Sequence, residues 1–253
     1  MRKRRLLAAG LASPLLALMR PGCGAEAAAP AQPLHWVASD LPPYAWREGG
    51  VPRGLAYELA VAMGQRLQRE ARIDYYPWAR AVRMLRENAD VGLFPLARTP
   101  ERESDYRWLV PLGRTRITFF AKAGVAIDRL ETLRKLRVGI MRGAAAAQSL
   151  AALGFTTLVP AADYGDLLRL LDRGIVDAVY AADEMFGFYL RARGEGADAI
   201  RPGLSLDTVD LFMVASRQCD EAEAQRWVQA YRELVADGTV ARLERSYLTA
   251  RAR

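Results

Sequence analysis

The sequence predicts an α/β fold in which a mainly parallel sheet is covered by helices on both faces. Short apolar runs alternate with amphipathic runs from residue 35 onward, at the intervals that βαβ units need. Glycines and prolines punctuate the joins. Hydrophobic residues make up 51% of the 253 and charged residues 26%, so a core can form and a disordered chain is excluded. The length suits one large domain or two lobes of roughly 100 residues each.

Residues 35–39 read as a short apolar strand ending at Asp40. The consecutive prolines Pro42 and Pro43 force a loop, because they bar both a ladder and a helix interior. A helix is expected over 56–69, with Leu59, Met63 and Leu67 recurring every four residues. Ile73 and Tyr75 alternate as a strand, a helix follows over 79–87, and 90–93 is a further strand. Thr99 and Pro100 open a short helix, threonine as N-cap and proline at its first position. Strands over 117–121 and 138–141 flank a helix near Leu130, and Gly143 leads into a helix over 144–150. Asp163 caps a helix carrying Leu167, Leu168 and Leu171 that Gly174 closes. Strands over 175–180 and 209–215 and helices over 221–236 and 239–247 complete the chain.

Composition removes several chemistries. The only histidine is His35, and the two cysteines are Cys23 and Cys219. A Ser-His-Asp relay or a His-rich zinc site would need that single ring in the catalytic position, and two cysteines make no metal cluster or disulfide framework. No metal or cofactor is expected. The formal charge of +7 is largely local: Arg2, Lys3, Arg4, Arg5 and Arg20 against Glu26 put +4 in the first 27 residues, leaving +3 elsewhere. No basic stripe interleaves with aromatics, so a nucleic-acid partner is not expected.

Six segments in order carry a family resemblance. They are Asp40-Leu41-Pro42-Pro43-Tyr44, Gly54-Leu55-Ala56-Tyr57-Glu58-Leu59, Asp90-Val91 followed by Thr99-Pro100-Glu101-Arg102, the run from Leu136 to Gly143, Gly174-Ile175-Val176-Asp177-Ala178, and Asp237-Gly238-Thr239 with Ser246-Tyr247-Leu248. Together they resemble the family 3 bacterial extracellular solute-binding proteins over about residues 34–249. The resemblance implies two Rossmann-like lobes joined by two hinge strands, the type II periplasmic-binding-protein arrangement, with ligand held between the lobes. It implies residues 28–117 as the first part of lobe 1, 118–210 as lobe 2 and 211–253 as the return to lobe 1. The crossings would fall near 117–121 and 211–215. Such hinges close as nearly rigid bodies.

The resemblance also implies a ligand site. Arg102 matches the arginine that clamps a ligand carboxylate in amino-acid-binding members, a task suited to its planar fork, and it is expected at an exposed lobe edge. Asp40 and Tyr44 fall where the family places an acid and an aromatic wall, at the carboxyl end of the first strand. Trp78 and Arg80 belong to a cluster that a subgroup carries, Trp78 being either cleft lining or core. Ala97, Thr99, Gly143 and Ala145 fall at further site positions. Glu58 reads more simply as a complement to a helix dipole.

The departures are informative. Relatives carry hydroxyl residues where this chain has Phe94, Pro95 and Ala97, and a threonine where it has Ala144 and Ala145. The ammonium-binding aspartate's position holds Ala182, with Asp183 one step later. The implied ligand is therefore a carboxylate lacking a standard α-amino group, or Asp183 substitutes through a bulge. The implied partners are a small carboxylate-bearing solute and the membrane permease of an ABC transporter, with a sensor or receptor as the alternative. A monomer and a binding role are expected. A cyclohexadienyl dehydratase-like enzyme using Glu184, Asp183 or Asp40 is the remaining alternative.

Residues 1–27 read as an export signal: a cationic start, an apolar run over 6–19, and Ala25-Glu26-Ala27 as a cleavage site. That run falls short of the ~20 residues a membrane span needs. A lipoprotein route through Cys23 would want an aliphatic residue where Arg20 stands. A soluble periplasmic protein beginning near Ala28 is expected. Intact-mass measurement of exported protein should give that start; an intact Met1, or a lipid on Cys23, would contradict it.

Overall fold

The computed structural model describes residues 33–194 and 199–249, so the segment 1–27 read above as an export signal lies outside the described residues. In chain order the elements are β1 (His35–Ala38), β2 (Trp46–Glu48), β3 (Val51–Arg53), α1 (Leu55–Arg66), β4 (Ile73–Tyr75), α2 (Trp78–Glu87) and β5 (Val91–Arg98). A 3₁₀ turn, Pro100–Arg102, precedes β6 (Tyr106–Lys122), α3 (Leu130–Leu133), β7 (Val138–Met141), α4 (Ala146–Ala152), β8 (Leu158–Ala161) and α5 (Tyr164–Asp172). Then come β9 (Ala178–Ala182), α6 (Asp183–Arg193), β10 (Ile200–Ser216), α7 (Glu221–Ala236) and α8 (Thr239–Glu244), with a π turn at Arg245–Thr249. No helix among the described residues is long and apolar enough to cross a membrane.

Eight strands form one sheet in the order β4-β1-β5-β10-β6-β9-β7-β8, and β2 pairs β3 separately. The flanks are parallel trios, β4-β1-β5 and β9-β7-β8. The centre corrects the sequence expectation of a mainly parallel sheet. There β10 runs antiparallel to both β5 and β6, and β6 runs antiparallel to β9. The central strands β6 and β10 are each 17 residues long, far beyond the stretches over 117–121 and 209–215 that hydrophobicity marks. The first part of β6 buries Tyr106, Leu109, Val110 and Leu112 in a core, and between the two cores both strands carry mostly exposed or half-buried residues. The sequence also passes over β2, β3, β8 and α6, and it places β9 too early: Ile175 is 43% exposed and lies outside the strand.

Local chemistry explains most boundaries. In α2, Trp78, Ala81, Val82 and Leu85 are buried, the spacing of one helical face. Asp163 accepts a hydrogen bond from the Asp166 amide at 2.7 Å, and Asp220 from the Glu223 amide at 2.9 Å, each capping a helix. Thr99, expected to do the same, makes no side-chain cap bond. The start of α1 is capped instead by backbone, Leu55 N–H donating to the Pro43 carbonyl and Ala56 N–H to that of Tyr44. Gly54 permits this approach: its φ is +126°, and a Cβ there would sit 2.3 Å from the Tyr44 oxygen.

The first parallel trio packs on a core in which Trp36 contacts Phe94 and, edge-on, Trp227. The second packs on Phe119, Phe155 and Tyr180. A polar pin fixes the first core. Glu223, fully buried on α7, accepts from the Leu34 amide at 3.0 Å, Trp227 Nε1 at 2.8 Å, Arg226 at 2.7 Å and Arg69. Burial pushes the Glu223 pKa up, but the bonds from Arg69, Leu34 and Trp227 outweigh it and hold the carboxyl below 4.5.

Removing one member of a buried charge network costs roughly 3–5 kcal/mol. The arginines keep some contact with water, so Glu223→Ala should lose about 2–4 kcal/mol in urea unfolding at pH 7. Because the folded pKa is lowered, this stabilisation is present above pH 4.5 and is lost as pH falls through the folded value. Urea midpoints across pH 3–7 should show the variant's deficit shrinking with acid. A deficit independent of pH would remove the carboxylate from this role.

Candidate functional site

A cavity of about 420 Å³ lies between the two parallel trios, with β6 and β10 along its side. Leu41, Trp78, Ala97, Thr99 and Arg102 line it from the first half. Met141, Ala145, Tyr164, Tyr180 and Ala182 line it from the second. Thr115 and Ile117 on β6, and Asp207, Val209 and Leu211 on β10, complete the wall. Period-two spacing along both strands aims these side chains at one face.

Arg102 dominates the electrostatics. It is buried, at 6% exposure, which corrects the expectation of an exposed lobe edge. Its guanidinium donates only to main-chain carbonyls, Nη1 to Ala97 at 3.4 Å and Nη2 to Gly143 at 3.5 Å. It forms no ion pair with an acid among the described residues. Burial lowers its pKa, with Tyr106 opposing and Arg86 adding to the effect. Arg98, on the same segment, is fully engaged: it pairs with Glu103 and lies over the Trp108 and Phe212 rings at 5.3 and 5.2 Å. A desolvated cation whose donors meet only long carbonyl contacts is prepared for an anion.

The other positions singled out from sequence divide in two. Trp78, Ala97, Thr99 and Ala145 line the cavity with Arg102. Trp78 is buried, and its Nε1 has no hydrogen-bond partner. The remaining five lie off the lining. Asp40 pairs outward with Arg47 at 2.9 Å. Tyr44 is core, its hydroxyl pKa pushed up by burial and by Glu184. Arg80 stacks on the Tyr76 ring at 4.7 Å. Asp183, at the start of α6, is bound by Arg116 at 2.8 Å.

Gly143 is a contact between the halves. Its φ is +80°, its carbonyl takes the Arg102 bond, and a Cβ there would lie 3.4 Å from the Ala79 Cα. Across the cleft the Tyr189 hydroxyl donates to the Asp40 carbonyl at 3.3 Å, and the Trp46 and Phe188 rings lie 5.4 Å apart. The halves therefore touch around the cavity.

Sequence reasoning did not find Thr115, Tyr164, Tyr180 or Asp207. The Tyr180 hydroxyl donates to Asp207 Oδ2 at 2.8 Å, and burial followed by that carboxylate raises its pKa. Thr115 is bonded to Glu184. The usable signal was alternation of Asp207, Val209 and Leu211, which becomes legible once β10 is extended to its true start.

The model for bacterial extracellular solute-binding proteins, family 3, matches residues 36–250. The chain belongs to that family. No protein with a curated description matches it. Among solved structures, a histidine kinase sensor domain with similarity to periplasmic binding proteins superposes with a TM-score of 0.75 at 22% identity, covering 85% of this chain and 96% of that one. An ancestral arginine-binding protein bound to arginine gives 0.76 at 18% identity, covering 86% and 99%. The arginine-, lysine-, histidine-binding protein ArtJ from Geobacillus stearothermophilus gives 0.76 at 14%, covering 85% and 95%. The fold is that of the type II periplasmic binding proteins.

An unpaired buried charge destabilises its own host. Arg102→Met should therefore raise the urea unfolding free energy by roughly 1–2 kcal/mol in ligand-free protein, as a function-for-stability exchange. A fall of comparable size would show that the guanidinium is a net structural contributor.

Proposed function

We propose that this protein is an exported periplasmic receptor that captures a small carboxylate-bearing solute between its two lobes and releases it chemically unchanged. The buried Arg102 guanidinium, held on two carbonyls and lacking a counter-ion in a cavity shared by both lobes, carries the reading. A carboxylate there would take two parallel charge-assisted hydrogen bonds. Trp78 Nε1 is a further unspent donor on the same wall.

Closure supplies the mechanism. Strand β6 pairs with β9 over residues 117–120, and β10 pairs with β5 over 210–215. The exchange between lobes then falls near residues 113–116 and 207–209, and bending there opens the cleft. A ligand favours the closed form only through contacts made with both lobes. Arg102, seated in the first lobe and touching Gly143 of the second, couples carboxylate binding to closure. Delivery to the permease of an ABC transporter follows from the family. Recognition by a receptor is the second reading, favoured by the kinase sensor domain among the structural neighbours.

A thermal-shift screen of amino acids, organic acids and amines should reveal the ligand, since binding at 100 times Kd stabilises by about 2.7 kcal/mol. Loss of a desolvated charge partner costs about 2–5 kcal/mol, so Arg102→Ala should weaken binding by roughly 30-fold to a few thousandfold in calorimetry. Arg102→Lys should recover part of it. Arg98→Ala, which removes the exposed Glu103 pair and the contacts with the Trp108 and Phe212 rings, should stay within about threefold. Equal small losses for the two alanine variants would remove Arg102 from the site.

A further inference from the structure

The cavity has a second charged wall. Asp207 lines it from β10, just after the register with β6 slips between Ser205 and Asp207. A slip of this kind re-aims the side chain that follows. Asp207 Oδ2 accepts the Tyr180 hydroxyl at 2.8 Å, and Tyr180 is itself buried and on the same lining. No cation pairs with Asp207 among the described residues. Arg102, buried where Asp207 is exposed, likewise forms no ion pair among them; Arg98 and Glu101, both exposed, are also on the lining, Arg98 paired with Glu103.

Strand register gives the backbone separation of the two ends, Arg102 and Asp207. The Arg102 guanidinium rests on the Ala97 carbonyl, Ala97 is opposite Leu211, and Asp207 lies four residues further along β10. Four residues of strand span about 13 Å. An α-amino acid with an uncharged side chain, its two charges on one carbon, cannot reach both poles. Asp183 is off the lining and held by Arg116. Between the poles the wall is mostly apolar, with Ile117, Val209 and Leu211 along the strands and Met141 and Met185 also on the lining, interrupted by Thr115 opposite Val209.

We propose that Asp207, held by Tyr180, receives the cationic end of an extended ligand whose carboxylate rests on Arg102. The ligand class is an ω-amino or ω-guanidino carboxylate with several methylenes between its charges. This rests on the carboxylate reading above and adds the second pole. Asp207 is a specificity-determining residue: it selects among carboxylates by what they carry at the far end.

Calorimetry of the leader-free protein with 6-aminohexanoate, hexanoate and adipate tests it. A charge-assisted bond at Asp207 should make 6-aminohexanoate bind roughly 10- to 100-fold tighter than hexanoate. Asp207→Asn should collapse that ratio to within about threefold, and Asp207→Lys should turn the preference toward adipate, by reversal of the far-end charge. Equal affinity of the unaltered protein for the two monocarboxylates, or a ratio that survives Asp207→Asn, overturns the proposal. If both acids bind equally and both are lost in Arg102→Ala, the Asp207 assignment fails and the carboxylate reading stands. If neither binds at millimolar concentration, the extended-ligand class is wrong. If the two acids bind and Arg102→Ala leaves both unchanged, the carboxylate reading fails as well.

Discussion

The antiparallel pairing of β6 with β10 is the constraint on which the rest of the molecule depends. The two strands lie side by side in the centre of the sheet and are the means by which two parallel trios share one sheet. Each trio has its own buried strands and aromatic core. Neither core extends through the middle of β6 and β10, where the exposed and half-buried residues lie. That interruption creates the cavity, and strand periodicity then decides which residues face it. Thr115 and Ile117 on one strand and Asp207, Val209 and Leu211 on the other follow from register alone.

The site built on this frame runs against stability. Buried charges are ordinarily paired, and elsewhere this protein obeys that rule: the buried Glu223 satisfies four donors. Arg102 breaks it. A buried guanidinium with two long carbonyl contacts is costly, and a binding site is a place where such a cost persists. An anion bound at the guanidinium would offset that cost. The enclosure of Trp78 Nε1 without a partner follows the same logic on a smaller scale.

Much of this was legible in the sequence, and the boundary of legibility is physical. Elements with a dry face were read closely: α2 through Val82 and Leu85, α5 through its Asp163 cap, and α7 with its bounds. The long strands were read only in part: their exposed middle sections carry no hydrophobic signal, and the buried Leu109, Val110 and Leu112 of β6 are broken up by Pro111 and Gly113. The cleft side of the site was therefore half seen. Arg102, Trp78, Ala97, Thr99 and Ala145 sit on short local motifs, and the structure puts all five on the cavity lining. Tyr180 and Asp207 come from distant segments that only tertiary pairing unites. Tyr44 illustrates the converse. Its loop was placed correctly, but the close approach of Gly54 turns that loop onto α1 and buries the ring in the core.

The central claim is that Arg102 waits for a carboxylate in the cleft between the lobes. A crystal structure with the tightest acid from the screen tests it most directly. The account predicts both carboxylate oxygens within hydrogen-bonding distance of the Arg102 guanidinium, with the ligand enclosed between Trp78 and the second lobe. A ligand bound elsewhere, with Arg102 still resting on the Ala97 and Gly143 carbonyls, would contradict it.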